Sequence, residues 1–409
     1  MSTPPLSPRM GVQYLGAPDF IAAQSQAQVV AYSQRVRARS EAINSTLQAR
    51  ANIVFSLLRD QSAAWSENYA ASFVVQQPHD AIRVLVFRRG EMHTLLIALF
   101  PQFKLAAGRI LGWGSDGKAR TVKVVRLPNQ MAKECIIRQE RVRVRVAGLN
   151  ATVHTDFCLI EAAAFKVAYA VQELCPHGTL REAVYSGYFN EQVGGEILER
   201  QLPFLAYDLI QAVFCLHDKN IVHFNLNPDA ILLRKQNQLG VRSFSLVLSG
   251  LRHAQQAKQH SLFRIPVNAL EYLAPETFLQ VDEAITISSK DITMKNDAWM
   301  LGRVLHFLLT KGLRDFYAMY PGAEGPDARF DRMTFAVCQL VEDGQQLLNA
   351  KLQRDLNFRY IPKSLRLAVI GLLQIDSRNR WTTLDAIEYV RRDLNRLTPI
   401  EEGNEVESD

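Results

Sequence analysis

The side chains that invite a chemical reading gather in one polar loop. His223-Phe224-Asn225-Leu226-Asn227-Pro228-Asp229-Ala230 sets an imidazole, two amides and a carboxylate in a short run, directly before the apolar Ile231-Leu232-Leu233. General acid–base work needs a group that gains or loses a proton, and the amide of Asn225 does neither as a carboxylate would. A second stretch, Gly112-Trp113-Gly114-Ser115-Asp116-Gly117, has the look of a phosphate cradle but reads better as a turn at a strand end. The five cysteines, Cys135, Cys158, Cys175, Cys215 and Cys338, form no CxxC pair and no metal-cluster spacing, so buried, reduced thiols are expected.

The elements that would position these residues follow from periodicity. Residues 1–18 are proline-rich and expected to be poorly ordered. From about Ile21 to Arg59, Val29, Val36, Ile43, Leu47, Val54 and Leu58 fall on one helical stripe, flanked by Arg35, Arg37, Arg39, Arg50 and Arg59. Such a basic amphipathic helix either packs on the main domain or a second copy, or lies on an anionic membrane. Strands are expected over Ile82–Phe87, His93–Phe100, Gly108–Trp113, Ala119–Leu127, Phe157–Ala164 and Lys166–Leu174, with a helix over Asn129–Val146. Beyond Gly178 the pattern is helical: Ile197–His217, Asn296–Leu309, Arg332–Gln346, Leu365–Leu373 and Leu384–Leu394. A small β lobe before a larger α lobe, without regular βα alternation, makes an α+β chain. Its expected parts are an N-terminal extension (1–60), a β-rich lobe (61–177), a helical lobe (178–397) and an acidic tail (398–409).

The polar loop resembles the catalytic loop of protein kinases, His-Arg-Asp-Leu-Lys-Pro-x-Asn followed by Ile-Leu-Leu. His223, Leu226, Pro228 and the apolar strand match. By this resemblance Asn225 stands at the catalytic base, Ala230 at the magnesium-holding asparagine and Asn227 at the lysine. Phe224 stands at the arginine that pairs with a phosphorylated activation loop. Leu248-Ser249-Gly250 resembles Asp-Phe-Gly, with Gly250 kept and Leu248 at the metal-binding aspartate. Leucine offers no oxygen to an ion that wants hard oxygen ligands, and without that ion the charge on a transferred phosphoryl group is not neutralised. Ala274-Pro275-Glu276, Asp297-Ala298-Trp299-Met300-Leu301-Gly302 and Asp376-Ser377-Arg378-Asn379-Arg380 resemble the structural landmarks of the family. They imply a buried Glu276–Arg380 ion pair and an Asp297 that bonds the backbone of the catalytic loop.

In the β lobe, Lys123 resembles the kinase β3 lysine, and Glu140 its helical partner. The glycine-rich loop falls at Leu99 to Gly108, where only the last glycine remains. Glu173-Leu174-Cys175-Pro176-His177-Gly178 resembles the hinge. A cleft bounded by Lys123, Glu140 and Glu173 would then hold ATP without metal, or be closed by Leu248 and its apolar neighbours. Ile221 to Pro228, the insert Leu279 to Asn296, and Ile361-Pro362-Lys363-Ser364-Leu365-Arg366 are similar to the rhoptry-secreted kinases and pseudokinases of apicomplexan parasites. That resemblance implies secretion into the host cell or its vacuole, association of residues 21–59 with the vacuole membrane, and a host protein or active kinase of the same family as partner. Met1 to Gly16 carries no apolar core of a signal peptide.

Bulk composition is that of an ordinary globular protein, 48% hydrophobic and 22% charged. A net charge of +6 does not argue for nucleic acid, since basic and aromatic residues do not interleave. No apolar run is long enough for a membrane-spanning helix. The expected function is that of an inactive pseudokinase acting by protein binding. The alternatives are a membrane-tethering module and an atypical active kinase with another base, such as Asp229.

Overall fold

The computed structural model describes residues 34, 46–59, 70–77, 80–89, 93–105, 109–127, 130–153, 155–161, 166–186, 189, 196–235, 244–251, 253–256, 262–264, 267–280, 286–288, 293–317 and 329–397. The chain folds into the expected β-rich lobe and helical lobe. After helix α1 (Thr46–Arg59) come β1 (Ala70–Gln77), β2 (Asp80–Arg89), β3 (His93–Leu105), β4 (Arg109–Gly114) and β5 (Ala119–Arg126). Helix α2 (Gln130–Val146), β6 (Thr155–Glu161) and β7 (Lys166–Glu173) complete the lobe. The strands form one antiparallel sheet in the order β1-β2-β3-β4-β5-β7-β6. Strand β1 was not expected from the sequence. It adds an outer strand, and β1 and β2 come round to touch β6, so the sheet curls. Residues 99–105, expected within a glycine-type loop, continue β3 past an irregularity between Phe100 and Lys104. The Gly112–Gly117 run is a strand end and a turn, with Gly117 at φ +75°.

Register sorts the sheet's residues between its two faces, because alternate side chains point opposite ways. Phe100 faces Leu111, Leu111 faces Thr121, and Thr121 faces Gln172, so these four make one row on one face. Lys123 and Val125 continue that face along β5. Helix α2 covers one end of it, where Ile136 clusters with Val125 and Ala168. Helix α1 covers the other end, burying Ala51, Val54 and Phe55 against Ile82, Val84, Phe100, Leu111 and Trp113. Burying a valine or phenylalanine side chain is worth about 1.5–3 kcal/mol, so this contact holds α1 on the sheet. The opposite face packs Leu85, Ile97, Leu99, Val122, Tyr169 and Val171 together inside the curl.

The helical lobe follows the hinge at 174–178. It holds α3 (Leu180–Tyr185), α4 (Glu196–Asp218), β8 (Ile221–Val222), the hairpin β9 (Ile231–Lys235) and β10 (Phe244–Leu248), and α5 (Pro275–Phe278). Then come α6 (Met294–Leu309), α7 (Arg329–Asp355), α8 (Lys363–Leu372) and α9 (Thr383–Leu397). Every residue from Asn296 to Leu309 is buried, which makes α6 the central helix of this lobe. Gly302 permits that depth. A Cβ there would lie 2.8 Å from Leu373 Cγ, closer than carbon atoms approach, and a tight 3.1 Å from Leu372 Cβ. Among the described residues no helix is long and apolar enough to cross a membrane.

Gly302→Ala therefore forces α8 away from α6. Overpacking of this kind costs about 1–3 kcal/mol, read as a lower urea midpoint at unchanged slope. Adding Leu373→Ala should recover part of the loss, since the two sites share one contact.

Candidate functional site

The polar loop is built around a single carboxylate. Asp297, fully buried on the first turn of α6, accepts the backbone N–H of His223 at 2.6 Å and that of Phe224 at 2.8 Å. It also lies 3.1 Å from His217 Nε2 at the end of α4, whose Nδ1 meets Thr383 Oγ1 at 3.1 Å. Phe224 has φ +53°, a left-handed conformation that bulky residues avoid, and its ring is buried. A fully buried phenylalanine thus fills the place expected to hold a cation for a phosphorylated loop. His223 is also buried: its ring Nε2–H donates to Ser249 O at 3.0 Å, and Nδ1 accepts from Asn225 N–H at 3.2 Å. Those two partners fix a neutral tautomer.

The positions that would carry chemistry are close together and turned inward. Gly250, at φ +78°, brings them together: a Cβ there would lie 3.4 Å from Asn225 Nδ2 and 3.7 Å from Ala230 Cβ. The Oδ1 of Asn225 already accepts from Asn227 Nδ2 at 3.0 Å, and Asn227 Oδ1 accepts Asp229 N–H at 3.0 Å. Asp229 is held by Arg181 of α3, whose Nε lies 3.0 Å from both carboxylate oxygens. Arg181 also takes the Pro228 carbonyl at 3.2 Å and lies over the rings of Tyr185 and Phe307. This ion pair anchors the loop to α3. Leu248 is fully buried and belongs to the helical lobe's apolar core, with Ile231, Leu246 and α2 residues Val142 and Val146. The neighbouring hydroxyl, Ser249 Oγ, donates to the Ala230 carbonyl at 3.0 Å. These residues do not fit a magnesium ion: the positions offer leucine, alanine and a hydroxyl already engaged.

Leu232 and Val247 pack with Val153 and the hinge residue Cys175 in one buried apolar cluster, at the floor of the expected cleft. Lys123 is half-buried on β5 facing it. Glu140 is its expected partner. The Glu140 carboxylate is gripped by Arg143 one turn along α2, at 2.8 and 2.5 Å, because residues three apart share a helix face. Glu173 ends β7 at the start of the hinge. Its carboxylate pairs with Arg234 of β9, which also donates to the carbonyls of Asn150 at 2.8 Å and Thr152 at 3.0 Å. Sequence reasoning missed Arg234, although it directly follows the Ile-Leu-Leu strand. It fastens the hinge and the loop after α2 to the helical lobe. The same loop pairs with β10: Val153 N–H bonds Leu248 O at 2.8 Å, and Leu248 N–H bonds Ala151 O at 2.9 Å.

The landmark residues stand where expected. Ala274 caps α5 with Pro275 in its first turn. Glu276 and Arg380 form a two-pronged pair at 2.6 and 2.9 Å. Arg380 gives its remaining donors to the carbonyls of Gln374, Lys295 and Ile375, and lies 5.1 Å from the Trp299 ring. The pair is buried on one side only, with the Arg380 side chain at 0% and Glu276 at 33% exposure.

A protein kinase domain model matches residues 114–390. This chain belongs to the protein kinase family. Calcium-dependent protein kinase 6 of Plasmodium berghei is 25% identical over 217 residues, 51% of this chain and 13% of that protein. A meiosis-specific serine/threonine-protein kinase of Saccharomyces cerevisiae is 27% identical over 301 residues, 68% of this chain and 54% of that one. MAP kinase-interacting serine/threonine-protein kinase 2 of Xenopus laevis is 29% identical over 159 residues, 35% and 32% of the two chains. The kinase domain thus spans only part of the length of these relatives.

Of the arginines expected to face a membrane, Arg50 lies over the Phe100 ring at 5.8 Å, against the protein. Arg35, Arg37 and Arg39 lie outside the described residues, as does the side chain of Arg59. Among the described cysteines, Cys175, Cys215 and Cys338 are free thiols.

Two predictions follow from the ionic framework. Glu276→Ala strands a fully buried guanidinium and should cost about 3–5 kcal/mol in equilibrium unfolding. The second concerns pH. Burial holds the His223 imidazole below its ordinary 6.5, outweighing Asp297 and the Ser249 carbonyl, and it does the same to His306 despite the Asp355 bond. A lowered folded pKa means the unfolded chain binds more protons below pH 6.5. The stability contribution is full above that value and falls with pH, by up to about 1.4 kcal/mol per unit for each histidine. Burial pushes the Asp355 carboxyl up, but bonds from His306 and Lys351 bring it down to about 2, so a further loss is expected between pH 4 and 2. Melting temperatures from pH 8 to 3 test this, with His306→Gln expected to flatten the first phase.

Proposed function

We propose that this kinase domain is catalytically inactive and acts by binding protein, as a scaffold or allosteric regulator. The observation that carries this reading is Leu248. Where the family's aspartate holds magnesium, an apolar side chain sits in the hydrophobic core, next to an Asn225 amide and a Ser249 hydroxyl already engaged in bonds. Asp229 supports the same reading, since its carboxylate is engaged in an ion pair with Arg181. The framework pairs around Asp297 and Arg380 keep the domain folded without those functions. The short similarities to rhoptry pseudokinases favour a secreted effector whose partner is a host protein or an active kinase of its family. Residues 21–59 would meet an anionic membrane only through their part preceding α1, because α1 itself is engaged on the sheet.

The test is phosphoryl transfer from radiolabelled ATP to the protein itself and to generic serine/threonine substrates, with magnesium or manganese. Incorporation should equal that of a protein-free blank. Transfer abolished by Lys123→Met would overturn the proposal. Adding either metal to ATP should leave the melting temperature unchanged, since the cleft has no ligands for it.

A further inference from the structure

The face of the sheet that carries Lys123 is covered at both ends by helices. One cover, α2, joins the lobes. The other, α1, belongs to the N-terminal extension and arrives from outside the region that matches the kinase model, residues 114–390. It covers the row Phe100–Leu111–Thr121–Gln172 at its Phe100 and Leu111 end, and places Arg50 over the Phe100 ring. Leu174, the first hinge residue, packs against the same cluster. Phe100 is fully buried and Leu111 3% exposed. The next hinge residue, Cys175, belongs to the buried apolar cluster with Val153, Leu232 and Val247, the floor of the expected cleft. A flat aromatic ligand held between row and floor needs Leu111 uncovered.

We propose that α1 is a cap acting in cis, docked on the roof of the inter-lobe cleft, and that its release opens the cleft to a nucleotide held without metal. This deepens the binding-protein reading and rests on it. Among the described side chains of α1, Ala51, Val54 and Phe55 are buried and Asn52, Ile53 and Ser56 are exposed. Ile53 is 55% exposed, which leaves an apolar handle on the outer side of α1 for whatever draws the helix away. The nucleotide would meet Lys123 at its phosphates and would stack on Leu232. With α1 docked in most molecules, apparent affinity is reduced by the fraction of molecules that are open.

The experiment places a protease recognition site between residues 60 and 69 of the full chain, which is cut after folding. Its companion is uncut full chain carrying Phe55→Glu, which repels α1 from the roof without removing it. The probe is a fluorescent N-methylanthraniloyl ATP with EDTA present, read by anisotropy. Release of α1, by either route, should tighten binding at least about tenfold over the uncut chain. Leu232→Trp, which fills the floor, should remove that gain while the melting temperature still shows a folded domain. Equal affinity in capped and released forms would overturn the proposal, as would absence of binding in both, or a gain that survives Leu232→Trp. Phosphoryl transfer by the released form would overturn the inactive-domain reading instead, so the two failures are distinguishable.

Discussion

Everything at the centre of this molecule hangs from the carboxylate of Asp297. It is fully buried, and a buried carboxylate is tolerated only when its oxygens are bonded. Two backbone N–H groups and the His217 imidazole meet that need. In return the loop is held at Phe224 in a left-handed conformation, which such a residue adopts only when its surroundings over-determine it. The same carboxylate ties the end of α4 to the start of α6, and His217 carries the link to Thr383 at the start of α9. Arg380 repeats the logic from the other side of Trp299, joining α5, the first turn of α6 and the segment before α9. The loop's shape is thus fixed by groups that take no part in phosphoryl transfer.

That separation explains how the chemical positions changed while the frame stayed. A catalytic base must keep a free lone pair facing solvent or substrate. Asn225 instead turns its oxygen to Asn227, and Asn227 passes the chain of bonds to the Asp229 backbone. Each amide satisfies its neighbour, so the loop is rigid without a ligand. Leu248 goes further: it adds apolar contact to a core that also includes Val142 and Val146 of α2. Together with the Arg234 clamp on Glu173 and the Asn150 and Thr152 carbonyls, this seam ties the β-rich lobe to the helical one.

What was legible in the sequence was whatever local spacing encodes. The polar loop, the landmark pairs and the limits of α2, α4 and α6 follow from short motifs and 3.6-residue periodicity. Long-range pairings outside those motifs were not legible. Arg234 and Glu173 are far apart in the chain, and nothing in either neighbourhood announces the other. At Glu140 a distant partner was expected from resemblance, and Arg143 three residues on, which was not foreseen, holds the carboxylate. Strand β1 escaped because its Ala-Ala-Ser-Phe-Val-Val-Gln-Gln lacks clean alternation, and outer strands carry weak patterns. The stripe ending in α1 was visible, and both its readings were open. The burial of Val54 and the lie of Arg50 over Phe100 favour packing on the sheet for the described part.

Leu248 and its neighbours are also hard to exchange for the family's residues by single steps, for a reason internal to the structure. An aspartate at position 248 would enter an apolar cluster from which water is excluded. Desolvation there raises a carboxyl's pKa and keeps it protonated, so it would not bring a metal ligand with it. The cation that could offset this charge would itself need Ala230 to become an oxygen donor and Ser249 to release the Ala230 carbonyl. Each change is unfavourable until the others are present. The residues at these positions are therefore held by mutual packing and bonding with one another.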